Sequence, residues 1–293
     1  MSKNRILLAV MATGDHGRVH ISPPHEYING CVAIVRIDNK PVNALSPSTL
    51  QSFSAAMEKL QSDSSVRAIV ITGFTSPHSM GSFFSAGFDI TSLRRQQAEG
   101  KPNDAVMNVN AVLNSLVEAG PKPVVAAVNG LALGGGCEVA MSCAARIAVP
   151  EAKLGLPELQ LGIIPGFGGT QRLPRLIGLE KAIKAMLTSK PMSAFDAKKS
   201  GLVDEIVPLD TVILEAARVG LEISNGRRTR RYTLLLKDKL PSMDQTDQAV
   251  MMMDFARKQA IAKQPNLSHP SMCIDAVLEG VMKGSMYGLE KVR

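Results

Sequence analysis

The chain has 293 residues, 45% of them apolar and 20% charged, an ordinary globular composition that excludes intrinsic disorder as its resting state. A net charge of +7 suits an anionic partner but does not choose among nucleic acid, a membrane surface and a phosphate-bearing small molecule. No apolar run is long enough and free enough of charge to cross a bilayer as a helix, and Cys31, Cys137, Cys143 and Cys273 form neither a Cys-x-x-Cys pair nor a disulfide framework.

Residues 1–29 contain Gly14, Gly17, Pro23 and Pro24 and read as a loose extension. The apolar, β-rich runs Cys31–Asp38 and Val66–Gly73 read as strands. Between them Ser46 is placed to cap a helix and Pro47 to occupy its first turn, while Leu50, Phe53, Met57 and Leu60 make one apolar stripe. Strand, helix, strand at this spacing indicates a crossover unit in an α/β sheet. The runs 123–128 and 145–149 continue it, and a helix is expected to start at Gly134–Gly136 and carry Glu138, Ala140 and Met141.

After Pro165 the texture becomes helical. Ser193 and Asp196 read as a capping box, and Gly201 as the end of that helix before a short strand at 203–207. Further helices are expected over 211–224, 244–263 and 271–283, the second with Met251, Met252, Met253 and Phe255 as packing residues. The division is therefore an extension over 1–29, an α/β core over 30–210 and a helical segment over 211–293. Arg227, Arg228, Arg230 and Arg231, with Tyr232 among them, read as a solvated basic surface, with RNA contact as the competing reading. The five histidines match no metal-ligand spacing with a cysteine, so no metal is expected.

Chemistry concentrates in three glycine-containing segments: Phe84-Ser85-Ala86-Gly87-Phe88-Asp89, Gly134-Gly135-Gly136-Cys137-Glu138 and Leu154-Gly155-Leu156-Pro157-Glu158. Tight turns turn backbone N–H groups toward a ligand, and carboxylates held beside them can move protons, so the set reads as an oxyanion hole served by two acids. A lone pair of glutamates in such positions reads as surface acids. Here Glu138 sits among Cys137, Val139 and Ala140, where a surface acid would be out of place.

Together with Pro123–Glu138 and the stretch Gly162-Ile163-Ile164-Pro165-Gly166-Phe167-Gly168-Gly169-Thr170-Gln171-Arg172-Leu173, these segments resemble the crotonase (enoyl-CoA hydratase/isomerase) superfamily over roughly residues 30–290. The wording is most similar to the hydratase part of plant-type peroxisomal multifunctional β-oxidation proteins. The resemblance implies a crotonase-like α/β fold of repeated ββα units with a C-terminal helical segment. It implies Glu138 and Glu158 as the catalytic acids, and the N–H groups of Ala86 and Gly135 as the oxyanion hole. Ser85, Ala86, Phe88, Asp89, Ile90, Gly134, Gly135, Pro157 and Gly166 would line the substrate. Both glutamates mark hydratases in the family, whereas dedicated isomerases commonly keep only the one matching Glu158.

The implied reaction is reversible addition of water to a trans-2-enoyl-CoA to give a 3-hydroxyacyl-CoA, with coenzyme A entering as part of the substrate and no other cofactor. Rival readings are a Δ3-Δ2-enoyl-CoA isomerase, a hydroxycinnamoyl-CoA hydratase/lyase, and an RNA-binding or scaffolding protein on a retained hydratase fold. The expected partners are an acyl-CoA thioester and further copies of the chain, as trimer or hexamer, with neither membrane nor nucleic acid. The resemblance points to the peroxisome, although no targeting signal is visible and Lys291-Val292-Arg293 is not a Ser-Lys-Leu address. Thr91 and Ser92 stand where many hydratases carry a lysine beside the CoA, and no Gly-x-Gly-x-x-Gly follows a strand, so NAD-linked dehydrogenation is not expected. A monofunctional protein or an excised domain is the expectation.

Overall fold

Four strands that are apolar along nearly their whole length cannot each offer one face to water, and they pair side by side with both faces covered. The computed structural model describes residues 17–23, 26–75, 82–89, 109–242 and 245–292. Strands β2 (Val32–Asp38), β3 (Ala68–Gly73), β5 (Val124–Val128), β7 (Ala145–Ala148) and β10 (Glu205–Ile206) run parallel in that order. Register is set by Val32 opposite Ala68, Ile69 opposite Val124 and Val125 opposite Ala145. β1 (Arg18–Ile21) closes the β2 edge antiparallel, Arg18 opposite Asp38. That strand corrects the expectation of a loose extension through residue 29: Val19 and Ile21 alternate inward, and glycine and proline only bound the strand.

Helix α1 (Pro47–Ser62) covers one side of β1 and β2, with Ser46 accepting from the Thr49 N–H as its cap. On the other side α6 (Val212–Ser224) lies across β3, β5 and β7 and buries Ala216, Ala217, Val219 and Gly220. The first helix of the expected C-terminal segment is thus a layer of the core.

A second sheet was not expected. β4 (Phe83–Ser85), β6 (Leu131–Leu133) and β8 (Lys153–Gly155) pair in parallel, and β9 (Met192–Ser193) adds antiparallel to β8. Successive strands alternate between the sheets, β3 to β4, β5 to β6 and β7 to β8, which is the repeated unit that the motifs imply. Helix α2 (Gly135–Ser142) follows β6, and a 3-10 turn at Glu158–Leu161 follows β8.

Helices α3 (Gly169–Ile177), α4 (Leu179–Thr188) and α5 (Ala194–Ser200) come next, the last capped by Ser193 as expected. The chain continues into α7 (Thr246–Lys263), α8 (His269–Met282) and α9 (Ser285–Lys291). α8 and α9 sit on α3 through Gly280 and Gly288, where an added Cβ would meet Gln171 Oε1 at 1.6 Å and Gln171 Nε2 at 2.3 Å. The methionine run divides: Met253 is buried and Met252 packs against the core, while Met251 and Phe255 are exposed.

The arginine cluster is only in part the solvated surface expected: Arg227 is exposed, whereas its neighbours are paired. Arg228 Nη1 meets Glu205 at 2.7 Å, and Arg231 pairs with Asp204, which also pairs with the fully buried Arg146. Arg230 donates to the Glu118 carbonyl at 2.8 Å and lies over the Tyr232 ring. These side chains tie the segment after α6 back onto the core.

Candidate active site

Glu138 lies in the first turn of α2, where only glycine fits at the helix start: Gly134 has φ 53° and ψ −129°. The carboxyl is buried, and its Oε1 accepts the backbone N–H of Phe167 at 2.8 Å and of Gly169 at 2.7 Å. A side chain at Gly169 would stand 2.8 Å from that oxygen, so the close approach requires glycine. Burial pushes the Glu138 carboxyl up to about 7, against the two N–H groups and Arg172, which pull it down.

Glu158 opens the 3-10 turn behind Pro157 and is also buried. Its Oε2 has no hydrogen-bond partner among the described residues. Burial first, and the neighbouring charge of Glu138 second, raise its carboxyl well above the ordinary range. The structure therefore brings the two expected acids to one place and gives them unequal surroundings.

The glycine turns meet as well. Gly87 has φ +92°, and a Cβ there would lie 2.7 Å from the Leu133 carbonyl and 3.0 Å from the Gly135 nitrogen. Gly135, at the first position of α2, has an N–H with no partner inside the helix. Ala86 does not match its expected role as an oxyanion donor, because its N–H already donates to the Val42 carbonyl at 3.0 Å. Leu45 donates to the Gly87 carbonyl at 2.7 Å and accepts from Asp89 at 3.3 Å. That bridge leaves the Phe88 N–H on the opposite edge, where it donates to no described residue. The change of register by two residues decides which donor is open.

Ser85 is also reassigned. Its hydroxyl is buried, donates to the Asn43 carbonyl at 2.7 Å and accepts the Gly87 N–H at 3.2 Å, so it shapes the turn. Phe88 packs edge-on against Phe167, ring centres 5.6 Å apart, and links the first turn to the 166–169 turn. Asp89 is half-buried at the end of the same turn, and Ile90 lies outside the described residues.

Sequence reasoning missed the groups behind the site. Residues 109–112 are helical and run into a π-helical turn, Leu113–Glu118. From it Glu118 Oε2 accepts Arg172 Nε at 2.8 Å and Asn114 Oδ1 accepts Arg172 Nη2 at 2.6 Å, both partners of the ion pair being buried. Arg172 Nη1 then donates to the Phe167 carbonyl at 2.9 Å. From α8, His269 Nε2 reaches the Leu159 carbonyl at 2.9 Å beside Glu158, and Gln171 Nε2 donates to Ala276 at 2.8 Å. The sequence signal for the first group is a polar stripe, Asn110, Asn114 and Glu118, at four-residue spacing on an otherwise apolar run.

Among the described residues no group of three His, Cys, Asp or Glu side chains could hold a metal ion, and no helix is long and apolar enough to cross a membrane.

Two interleaved sheets that present two buried acids beside paired glycine turns define an enzyme of the crotonase-like fold. The chain belongs to the enoyl-CoA hydratase/isomerase family, whose model matches residues 27–263. It is 49% identical over 261 residues to a glyoxysomal fatty acid beta-oxidation multifunctional protein of Cucumis sativus, covering 89% of this chain and 35% of that protein. A probable enoyl-CoA hydratase of Bacillus subtilis is 43% identical over 190 residues, 64% of this chain and 70% of that one. Among solved structures, an enoyl-CoA hydratase from Bacillus anthracis superposes with a TM-score of 0.61 at 27% identity, over 90% of this chain and 95% of that one. The chain thus spans about a third of the length of the plant relatives that it matches, 35% in the cucumber case.

Proposed function

We propose that this chain adds water reversibly across the double bond of a trans-2-enoyl-CoA to give a 3-hydroxyacyl-CoA. The observation that carries the reading is the pair Glu138 and Glu158, both buried and both raised, with hydrogen-bond donors on one and none on the Oε2 of the other. Glu138, whose ionised form two N–H groups favour, takes a proton from water as the water oxygen bonds to the β-carbon. Glu158, held protonated by its surroundings, delivers a proton to the α-carbon. The electron pair of the double bond passes through the thioester enolate, whose oxygen the N–H groups of Gly135 and Phe88 receive. Two such donors in a water-poor site lower the barrier by several kcal/mol. The reverse sequence dehydrates the product.

Gly134, Gly166, Pro157 and the Phe88 ring would line the acyl end, with coenzyme A held as part of the substrate. The isomerase reading uses Glu158 alone, and the unpartnered Glu158 oxygen is compatible with it. The RNA-binding reading loses part of its motive, since Arg228, Arg230 and Arg231 are paired with groups of the protein itself. Glyoxysomal and peroxisomal relatives support a peroxisomal setting.

The test is incubation of purified protein with short, medium, long and aromatic 2-enoyl-CoAs while the enoyl absorbance is followed. Loss of absorbance with formation of the 3-hydroxyacyl-CoA supports the reading. No hydration across that panel ends it, and conversion of 3-enoyl-CoA alone would leave the isomerase.

A further inference from the structure

Asn110 is buried at 4% exposure and sits at the start of the polar stripe behind the site. Its Nδ2 donates to the Gly166 carbonyl at 2.7 Å. That carbonyl belongs to the same peptide unit as the Phe167 N–H, which donates to Glu138 Oε1 at 2.8 Å. The two bonds therefore lie in series: side-chain amide, peptide, carboxylate. A donor on the carbonyl end of a peptide fixes its plane and polarises its N–H, so the bond to the carboxylate is strengthened and aimed at once.

The other half of the amide gains nothing from the described residues. Among the described residues Asn110 Oδ1 has no hydrogen-bond partner, although it is buried. A buried acceptor left unpaired destabilises a folded protein, and a leucine, with the same branching, would occupy the site without that penalty. A residue chosen for packing alone would not be asparagine. The second peptide serving Glu138 is anchored differently: its carbonyl, that of Gly168, accepts the N–H groups of Gln171 and Arg172 at the start of α3. Only the Gly166–Phe167 peptide depends on a side chain for its anchor.

We infer that Asn110 is a positioning residue for hydration, acting on Glu138 through the Gly166–Phe167 peptide and never touching the substrate. The inference rests on the hydratase reading above. The charged and titratable groups facing Glu138 are Arg172 from α3, Glu158 from the 3-10 turn, Cys273 from α8 and Cys137 on its own helix. None of them is altered by a change at residue 110. Weakening the Phe167 donor disfavours the ionised carboxyl, so the acidic limb of the pH profile, which reports the base, moves upward.

The experiment compares the parent with Asn110→Leu, Asn110→Ala and Asn110→Asp. Asn110→Leu and Asn110→Ala remove the donor, one keeping bulk and one without it, so a single folded variant suffices. Asn110→Asp keeps the shape and sets an acceptor against the carbonyl. The expected result is a kcat lower by roughly 10-fold, an unchanged KM and an acidic limb displaced to higher pH, with Asn110→Asp affected most. The thermal midpoint of Asn110→Leu stays level or rises. A parent-like pH profile and kcat in a folded Asn110→Leu or Asn110→Ala would overturn the inference. So would a lowered midpoint with kcat per folded molecule intact, which is the signature of a packing role. The Glu138 proton affinity is read independently from the carboxyl infrared band that Glu138→Gln abolishes. An inactive parent would therefore sink the hydratase reading, while the displacement of that band still decides the role of Asn110.

Discussion

Glu138 and Glu158 divide their hydrogen bonding unequally: one oxygen of Glu138 takes two backbone N–H groups, and Oε2 of Glu158 takes none. Unequal surroundings separate the proton affinities of two like groups, which is how a pair of carboxyls takes opposite roles in one reaction.

The first prediction concerns the pair as a unit. Glu138→Gln and Glu158→Gln each lower kcat by roughly 100-fold or more with the fold retained, since the amide keeps the side-chain volume. The double variant loses less than the product of the two, because both groups serve one transition state. Steady-state kinetics with calorimetric binding of a CoA ester checks both points. Binding persists, because the N–H donors are backbone groups.

A second prediction concerns pH and stability. The Glu138 carboxyl rises from an ordinary 4.5 to about 7 in the folded protein, so the folded state holds a proton there that the unfolded state has released. The stability associated with that proton is complete below pH 4.5 and falls away as the pH climbs through 7. Glu158, also raised, contributes a decline in the same direction. Thermal midpoints measured from pH 4.5 upward should fall in the parent from this cause and fall less in Glu138→Gln. Parallel curves for the two proteins would contradict it.

The third prediction addresses the ion pair behind the site. Glu118→Gln leaves Arg172 fully buried without a counter-charge and should destabilise the fold by about 3–5 kcal/mol. Replacing both partners, Glu118→Leu with Arg172→Met, should recover part of that loss while the 166–169 turn loses the Arg172 donor. Urea denaturation measures the first effect, and kcat in the double variant measures the second.

The arginine cluster supplies a fourth. Asp204→Asn removes the counter-charge from Arg146, which is fully buried, and should destabilise by about 3–5 kcal/mol. Affinity for RNA, titrated against salt, should show nothing beyond that of an ordinary basic protein in either form. Tight RNA binding abolished by Arg227→Ala with Arg228→Ala would restore the rival reading.

Much of the scaffold is legible in the chain because its signals are local. The apolar runs that became β2, β3, β5 and β7 are long enough to declare themselves, and Ser46 and Ser193 mark helix starts through bonds to residues three positions on. The second sheet is not legible: β4, β6 and β8 are three residues each, too short for any periodicity. Both glutamates are readable because each sits against a glycine turn. The open donor is not, since Ala86 and Phe88 differ only in the direction in which a peptide faces, and Val42 and Leu45 settle that from a distant turn. The arginine cluster misleads for the same reason, its partners Glu205 and Asp204 lying 23 and 27 residues before Arg228 and Arg231.

The C-terminal helices hold the Glu158 turn and the helix that follows the Glu138 donors, His269 on the Leu159 carbonyl and Gly280 and Gly288 around Gln171. A chain emerging from the ribosome would carry Glu138 and Glu158 into the open well before those braces exist. The two buried carboxyls would then be seated only after α8 has cleared the exit tunnel, so the most proton-sensitive part of the fold would take its shape later than the strands that precede it.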